Sequence, residues 1–467
     1  MINTEVNTSS TVDPMRQLAR LRTAFDSGLT RGLDARKRRL VELRRFLVEC
    51  ESEITQALSA DLGRPAFEAY ASEIAFTKGE IAYALEHLAR WMRPERVRTP
   101  LLAQPGRSFI IREPRGLVLV IGPWNYPLQL VLGPLVGAMA AGCCTLLKPS
   151  EIAPATSELL CSRLGDYVDP DWVQVVAGGV AETTALLAEP FDYIFFTGGE
   201  VVGRIVMEAA AKRLTPVALE LGGKSPCLVD RTADLDVAAR RIIWGKTYNA
   251  GQTCVAPDHV LVHQHVFESL LERLKKTIHE FFGANPRTSP DYGRIVSERH
   301  HRRLVQLLEG AGVVATGGEH DLASRYFAPT IVRDIPESAP IQHEEIFGPI
   351  LPVIPTADID EAIARVNRRP KPLALYLFAN DAQIEREVLE RTSSGGVLVN
   401  HALLHLAVPG LPFGGVGASG FGSYHGRASF ETFSHAKAVL KKPTWFDPDV
   451  FYPPYTAAKT RIGRWFL

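Results

Sequence analysis

Gly116-Leu117-Val118-Leu119-Val120-Ile121-Gly122-Pro123-Trp124-Asn125-Tyr126-Pro127 reads as a strand that is apolar on both faces and stops at a turn ahead of an apolar helix. A strand facing water would alternate polar and apolar residues. A continuous apolar run therefore asks for cover on both sides, the mark of a parallel sheet between helices. Further short apolar runs follow at 145–148, 173–176, 193–196 and 216–219, separated by helical stretches at 128–141, 153–164, 181–187 and 202–212. This alternation predicts an α/β fold with a Rossmann-like region between about 116 and 229.

Upstream, residues 14 to about 95 read as helical. Asp13-Pro14 suits a helix start, and Leu40, Leu43, Leu47, Cys50, Ile54 and Leu58 recur at steps of three and four that keep one face apolar. Residues 1–13 are polar and lack the basic-then-apolar order of a signal peptide, which suggests a frayed tail. The β-branched and aromatic run 107–112 after Pro105-Gly106 predicts a hairpin leaving the main body. Downstream, a second α/β block spans about 225–410, with strands at 260–262, 313–314, 350–354 and 397–399 and helices such as 268–282 and 360–366. A last strand is expected within 432–440.

Bulk composition excludes several function classes. At 467 residues the chain is long enough for two or three domains, and its 46% hydrophobic content and formal net charge of +0 give no footprint for nucleic acid or an anionic surface. The cysteines at 50, 143, 144, 161, 227 and 254 form no CxxC and have no histidines at zinc spacing, so free thiols in a reducing compartment and no metal site are expected. The most apolar stretch, 128–144, falls short of the roughly 18 residues a membrane helix needs. The basic-aromatic end Arg461-Ile462-Gly463-Arg464-Trp465-Phe466-Leu467 reads as a docked or loose terminus, with contact to a membrane surface as the alternative.

The chemistry centres on Glu220, in Leu219-Glu220-Leu221-Gly222-Gly223-Lys224, and Cys254, in Asn249-Ala250-Gly251-Gln252-Thr253-Cys254-Val255-Ala256-Pro257-Asp258. A thiolate adds to a carbonyl carbon, and a carboxylate activates the water that later cleaves the thioester. Together they suggest acyl chemistry on an aldehyde. Taken singly, the cysteine reads as a small buried core residue and the glutamate as a strand end or helix cap; it is their glycine-containing, otherwise apolar context that favours chemistry. Asn125 is either a turn former or an uncharged donor to a developing oxyanion. Lys148 and Glu151, closing the second strand, are either a solvated pair or a grip on ribose oxygens, and a carboxylate there leans toward NAD over NADP. Gly198, Gly199 and Gly203 precede and enter a helix with neither GxGxxG nor P-loop spacing, yet a helix N-terminus there can approach a pyrophosphate. Glu345 and Phe347 read by default as an exposed acid and a core aromatic, with a ribose contact and a face for nicotinamide as the functional alternative. The run 412–420 reads as packing glycines, not as a nucleotide loop.

The set as a whole resembles the aldehyde dehydrogenases, and within them the class 3 branch. The resemblance is carried by Gly122-Pro123-Trp124-Asn125-Tyr126-Pro127, Leu147-Lys148-Pro149-Ser150-Glu151, the Glu220 and Cys254 segments, Glu344-Glu345-Ile346-Phe347-Gly348-Pro349, Lys371-Pro372-Leu373-Ala374-Leu375-Tyr376, and Gly422-Ser423-Tyr424-His425-Gly426 with Ser429-Phe430-Glu431-Thr432-Phe433-Ser434-His435. It covers about residues 15–455, seven motifs in family order.

The resemblance implies an aldehyde dehydrogenase-like α/β fold with a Rossmann-type cofactor domain, an α/β catalytic domain and a small β oligomerisation arm. The parts would be a helical lead-in at 1–99, a hairpin arm at 100–115, the NAD(P)-binding domain at 116–223, the catalytic domain at 224–410, a return at 411–430, an oligomerisation strand at 431–445 and a tail at 446–467. It also implies Cys254 as nucleophile, Glu220 as base, and Asn125 with the Cys254 backbone N–H as oxyanion hole. Trp124, Lys148, Glu151, Gly198, Gly199, Gly203, Glu345 and Phe347 would bind the cofactor, NAD with NADP as the alternative. Tyr126, Trp244 and Tyr248 would line a tunnel for medium-chain aliphatic or aromatic aldehydes. A cytoplasmic homodimer without a membrane segment is expected. Two departures stand out: Gly199-Glu200 where relatives often carry Ser or Thr after the first glycine, and Asn400-His401 in place of the commoner Asn-Asp.

Overall fold

The structure, a computed structural model, describes residues 14–466; the reading of residues 1–13 falls outside the described residues. The helical lead-in comprises α1 (Pro14–Asp26), α2 (Leu33–Glu49), α3 (Glu51–Leu62) and α4 (Ala66–Ala69), which runs through a π-helical turn Tyr70–Ala75 into α5 (Phe76–Trp91). All six residues of the predicted stripe are fully buried. They belong to two helices, however, because the chain turns at Cys50 (φ −96°, ψ 14°), which closes α2 and opens α3. A one-residue kink leaves the three-and-four spacing intact, so periodicity alone does not reveal it.

Helices α6 (Gln129–Ala141), α7 (Pro154–Arg163), α8 (Val180–Leu187) and α9 (Glu200–Ala211) alternate with the strands of the first domain, and α10 (Leu235–Thr247), α11 (Phe267–Phe282) and α12 (Glu298–Leu308) belong to the second. In chain order the strands are β1 (Glu95–Val97), β2 (Arg107–Pro114), β3 (Leu117–Ile121), β4 (Cys144–Lys148), β5 (Val173–Val175), β6 (Tyr193–Thr197), β7 (Val217–Glu220), β8 (Pro226–Val229), β9 (His259–His263), β10 (Val313–Thr316), β11 (His320–Asp321), β12 (Tyr326–Phe327), β13 (Thr330–Arg333), β14 (Ile350–Thr356), β15 (Ala374–Phe378), β16 (Gly396–Val399), β17 (Gly420–Phe421) and β18 (Ser434–Lys441).

The first sheet has the order β17-β7-β6-β3-β4-β5, parallel except for β17. Strand β3 shows why its sequence is apolar throughout. Leu117, Leu119 and Ile121 join the core shared with α1 and α9, while Val118 and Val120 join the core shared with α2, α5 and α6. Successive side chains point to opposite faces, so each face has its own helical cover.

The second sheet has the order β10-β13-β14-β9-β8-β15-β16, with β10 antiparallel to β13 and the other pairs parallel. Its β8 and β15, which are not among the strands expected from the sequence, are fully buried and interior to the sheet. The chain crosses between the two sheets at residues 221–225, directly after Glu220.

A third sheet, β1-β2-β18, is antiparallel. It begins at Glu95, inside the segment read as helical, and the long partner of β2 is β18, which matches it over eight residue pairs from Ser434↔Pro114 to Lys441↔Arg107. The arm is thus a sheet built from segments some 320 residues apart, with the hairpin to β1 as its smaller part. Among the described residues, no helix is long and apolar enough to cross a membrane. The tail carries a helix at Ala457–Phe466.

Candidate active site

Cys254 follows α10 through the turn Tyr248–Gly251, where Asn249 (φ 52°), Ala250 (φ 50°) and Gly251 (φ 76°) are successively left-handed. A non-glycine residue in this region costs about 1–2 kcal/mol. The surroundings hold it there. A Cβ on Gly251 would lie 2.3 Å from the Gly348 carbonyl oxygen, so only glycine fits. The Asn249 amide donates to the carbonyls of Asn125 (2.9 Å) and Gln252 (3.0 Å). Gln252 in turn donates to the carbonyls of Asn249 (3.0 Å) and Arg294 (2.9 Å) and accepts from Val296 N (2.9 Å). The two amides of the Asn249-to-Gln252 stretch are therefore the frame of the turn that presents the thiol.

Glu220 ends β7, paired with Thr197 on one side and Gly420 on the other. It is 2% exposed, and neither carboxylate oxygen has a hydrogen-bond partner. Burial raises its pKa well above the ordinary carboxylate value, because a lone charge there is neither solvated nor paired. The Cys254 thiol is pushed up to about 12 by burial and then by the nearby carboxylates of Glu345 and Glu220. Burial thus disfavours the charged form of both groups in the protein alone. Asn125, in the loop after β3, donates one amide N–H to the Gln252 carbonyl (3.1 Å).

Two cavities meet at Cys254 and Leu130. The first, of about 220 Å³, is lined by Tyr126, Trp244 and Tyr248 from the sequence reading, and by Phe76, Phe413, Tyr424, His425 and the 403–407 loop, which that reading did not single out for the tunnel. Trp244 packs against Tyr248 (ring centroids 5.4 Å) and His401 (5.7 Å), so the Asn400-His401 departure forms part of the wall behind Trp244. The Tyr126 hydroxyl meets Thr253 Oγ1 at 2.6 Å.

The second cavity, about 260 Å³, collects Trp124, Asn125, Gly198, Gly199, Glu220, Glu345 and Phe347. Sequence reading missed Thr197, His300 and Arg303 on its wall. The Trp124 ring lies edge-on to Phe347 (5.3 Å) and His300 (4.7 Å). A Cβ on Gly222 would come within 2.3 Å of Glu345 Oε2, so this glycine makes room for that carboxylate. Burial lifts the Glu345 pKa to about 7, partly offset by the Gly223 N–H. The segment is anchored from below. Arg303 donates to the carbonyls of Glu345 and Ile346, and Asp258 accepts from Ile346 N (2.9 Å) and from Lys224 (2.6 Å). Burial alone would raise the Asp258 pKa; Lys224 and His259 instead hold it well below the usual carboxylate range.

Three expected cofactor residues are not in this lining. Lys148 is 2% exposed, its ammonium on the Pro149 carbonyl (2.8 Å) and Glu151 (3.3 Å), while Glu151 is exposed at the end of β4. Gly203 lies within α9, where a Cβ would reach 2.7 Å from Leu221, so it serves close packing of α9 on the crossover. The N-terminus of α9 opens at Gly199 with no side-chain cap, and Glu200 in its first turn is paired with Arg204 (2.5 Å). The glycines at 414, 415 and 420 sit where a Cβ would strike backbone oxygen at 2.2, 2.0 and 1.9 Å, in line with packing glycines.

The cleft suits a nicotinamide riboside end. Buried Thr197 Oγ1 lacks a partner, Gly199 faces open space, and aromatic rings flank the opening. Among the described residues no cluster could hold a metal ion.

The sequence model of the aldehyde dehydrogenase family matches residues 3–439, and aldehyde dehydrogenase family 3 member B1 of Rattus norvegicus is 50% identical over 448 residues, covering 96% of each chain. The chain belongs to the aldehyde dehydrogenase family. Its relatives place it in the class 3 branch. It also aligns with a Staphylococcus aureus AldH solved in a substrate-bound state (TM-score 0.95, 45% identity, 98% of this chain and 100% of that one) and with the NAD-dependent aldehyde dehydrogenase of Sinorhizobium meliloti (TM-score 0.84, 30% identity, 94% and 89%). This aldehyde dehydrogenase oxidises aldehydes to carboxylic acids with NAD(P)+.

Proposed function

We propose that this aldehyde dehydrogenase oxidises medium-chain aliphatic or aromatic aldehydes, with Cys254 as nucleophile, Glu220 as general base, and Asn125 with the Cys254 backbone N–H as oxyanion donors. The observation that carries the reading is the position of Cys254 where an aromatic-walled cavity of about 220 Å³ meets the cleft holding Glu220, Asn125 and Glu345. Cys254 first gives its thiol proton to solvent; the thiolate sulfur then adds to the carbonyl carbon, forming a C–S bond as the C=O π pair moves onto oxygen, where the two N–H donors meet the negative charge. The cofactor, when bound, supplies the acceptor for the hydride leaving that carbon. Glu220 then takes a proton from water, the hydroxide adds to the thioester, and the C–S bond breaks to release the acid and the thiolate. Glu345 and Phe347 would hold the nicotinamide half and Trp124 would flank it. Lys148 and Glu151, at the end of β4, are proposed for the adenosine ribose, with Glu151 repelling a 2′-phosphate and so favouring NAD over NADP. The N-terminus of α9, with Gly198 and Gly199, is proposed for the pyrophosphate.

A homodimer is proposed through the third sheet, whose outer strands β1 and β18 leave backbone groups for pairing at the edge. Six free cysteines support a reducing, cytoplasmic setting. The test is an NADH-release screen over short, medium, long-chain and aromatic aldehydes, with and without coenzyme A. The expected result is a kcat/KM maximum for medium-chain or aromatic substrates, no coenzyme A requirement, and no turnover after Cys254→Ala. A coenzyme A requirement or turnover by Cys254→Ala refutes the assignment. Glu220→Gln should release one equivalent of NADH and stall; an unimpaired steady state would assign the base elsewhere.

A further inference from the structure

Arg64 and Glu73 form an ion pair with both side chains fully buried, and neither is among the groups assigned to the reaction. Taking two charges out of water costs several kcal/mol each, and an apolar pair of similar volume is often no less stable. The partners of this pair point to a different use. The Arg64 guanidinium donates to Glu73, to the backbone carbonyl of Asn125 and, through Nε, to Asn249 Oδ1 (3.2 Å), and it lies 4.6 Å from the Tyr126 ring centroid. The second Glu73 oxygen accepts from Leu128 N (3.0 Å) and Gln129 N (2.7 Å), at the start of α6. The pair therefore grips the 122–128 turn at its carbonyl side and at its exit. Glu73 reaches it from the π-helical turn Tyr70–Ala75, a local widening of the helix that re-aims side chains.

The same Asn125 carbonyl also accepts from Asn249, and the carbonyl of Gln252, two residues before Cys254, accepts from both Asn249 and Asn125. Arg64 thus holds the backbone of Asn125 and the side chain of Asn249 in one hydrogen-bond network, between the loop proposed to carry the oxyanion donor and the turn that carries the thiol. We propose that Arg64 and Glu73 are positioning residues: the pair fixes the Asn125 loop against the Cys254 turn, so that the Asn125 amide points at the oxygen of the bound aldehyde. The inference rests on the oxyanion role of Asn125 given above.

A double-mutant cycle tests it on the full-length enzyme. Arg64→Met with Glu73→Leu removes both charges together, which avoids leaving one buried and unpaired. Asn125→Ala removes the donor, and the triple variant combines them. Asn125→Ala should lower kcat by about 10²–10³-fold. The charge-pair variant should lower kcat by roughly 10- to 100-fold, with the aldehyde KM and the NAD(P)+ dissociation constant within about twofold of the parent. The triple variant should be no slower than Asn125→Ala, because a misaimed donor and a missing donor give the same loss. A charge-pair variant with unchanged kcat, or a triple variant whose loss is the product of the two, overturns the positioning role. Unchanged kcat for Asn125→Ala overturns the oxyanion reading, and the proposal with it. Should the charge-pair variant fail to fold by circular dichroism, Arg64→Lys replaces it in the cycle. It keeps the charge beside Glu73 but not the fork, and the same non-additivity with a smaller kcat loss is expected.

Discussion

His425 carries an acid-sensitivity that can be worked from its surroundings. Its ring is 2% exposed, stacked on Phe413 at 5.3 Å and edge-on to Tyr424 at 4.3 Å, and neither nitrogen has a hydrogen-bond partner. Burial, with a smaller push from His405, lowers its pKa from 6.5 to about 3. The folded value lies below the unfolded one, so the unfolded chain takes up a proton first as the pH falls. The stability is fully present above pH 6.5 and is lost as the pH falls toward about 3. At pH 5 the unfolded imidazole is almost wholly protonated and the folded one almost wholly neutral. The loss there is about 2 kcal/mol, set by the unfolded pKa and insensitive to how far below 5 the folded one lies. His425→Phe keeps the ring and removes the nitrogens. Urea unfolding of both proteins at pH 8, 6.5 and 5, followed by tryptophan fluorescence, should show the parent losing about 2 kcal/mol more than the variant between pH 8 and pH 5. Any pH-independent packing change cancels in that comparison. Parallel stability profiles, within about 0.5 kcal/mol at all three values, would refute the unpaired, neutral His425.

Gly222→Ala puts a methyl group within 2.3 Å of a Glu345 oxygen and displaces the carboxylate. Loss of one charge-assisted contact, about 1.5–3 kcal/mol, should raise the KM for NAD(P)+ by roughly tenfold or more; a change under twofold would remove Glu345 from the cofactor contacts. With the Cys254 thiol pushed up to about 12, its thiolate fraction rises with every pH unit below that value. Iodoacetamide alkylation of the cofactor-free enzyme should therefore accelerate about tenfold per unit from pH 6 to 9, and a plateau below pH 9 would mean a cation or donor stabilises the thiolate. Trp244→Ala enlarges the cavity proposed for the aldehyde, so the ratio of kcat/KM for dodecanal over hexanal should rise roughly tenfold; an unchanged ratio would place the substrate away from Trp244.

The first sheet was legible because its strands are short and uniformly apolar. The β3 run could be covered only by helices on both faces, and the two cores that divide Leu117, Leu119 and Ile121 from Val118 and Val120 are that cover. Two features were not legible, for different reasons. The break at Cys50 conserves the spacing it interrupts. The pairing of β2 with β18 joins segments some 320 residues apart, and no local pattern names a strand's partner at that range.

The site divides along the same line. Glu220, Asn125 and Cys254 announce themselves because polar or reactive atoms interrupt apolar, glycine-containing stretches, the first two at the carboxyl ends of β7 and β3 and the third in the turn between α10 and β9. Phe76 and Glu73 lie in helical turns and Arg64 in the short link between α3 and α4, within a segment where an aromatic or a charge every few residues is ordinary, and only the fold shows that they face the cavity beside Cys254 and the Asn125 loop. The distinction has a physical root. The groups proposed for the chemistry each sit on a local backbone device: the end of β7 for the carboxylate, three left-handed residues for the thiol, and the turn after β3 for the amide. Those devices leave glycines and strand ends in the sequence. The groups proposed to aim them need long side chains on a buried path, as the Arg64 fork has between Glu73, Asn125 and Asn249, and the π-helical turn that brings Glu73 there contains no glycine or proline to mark it.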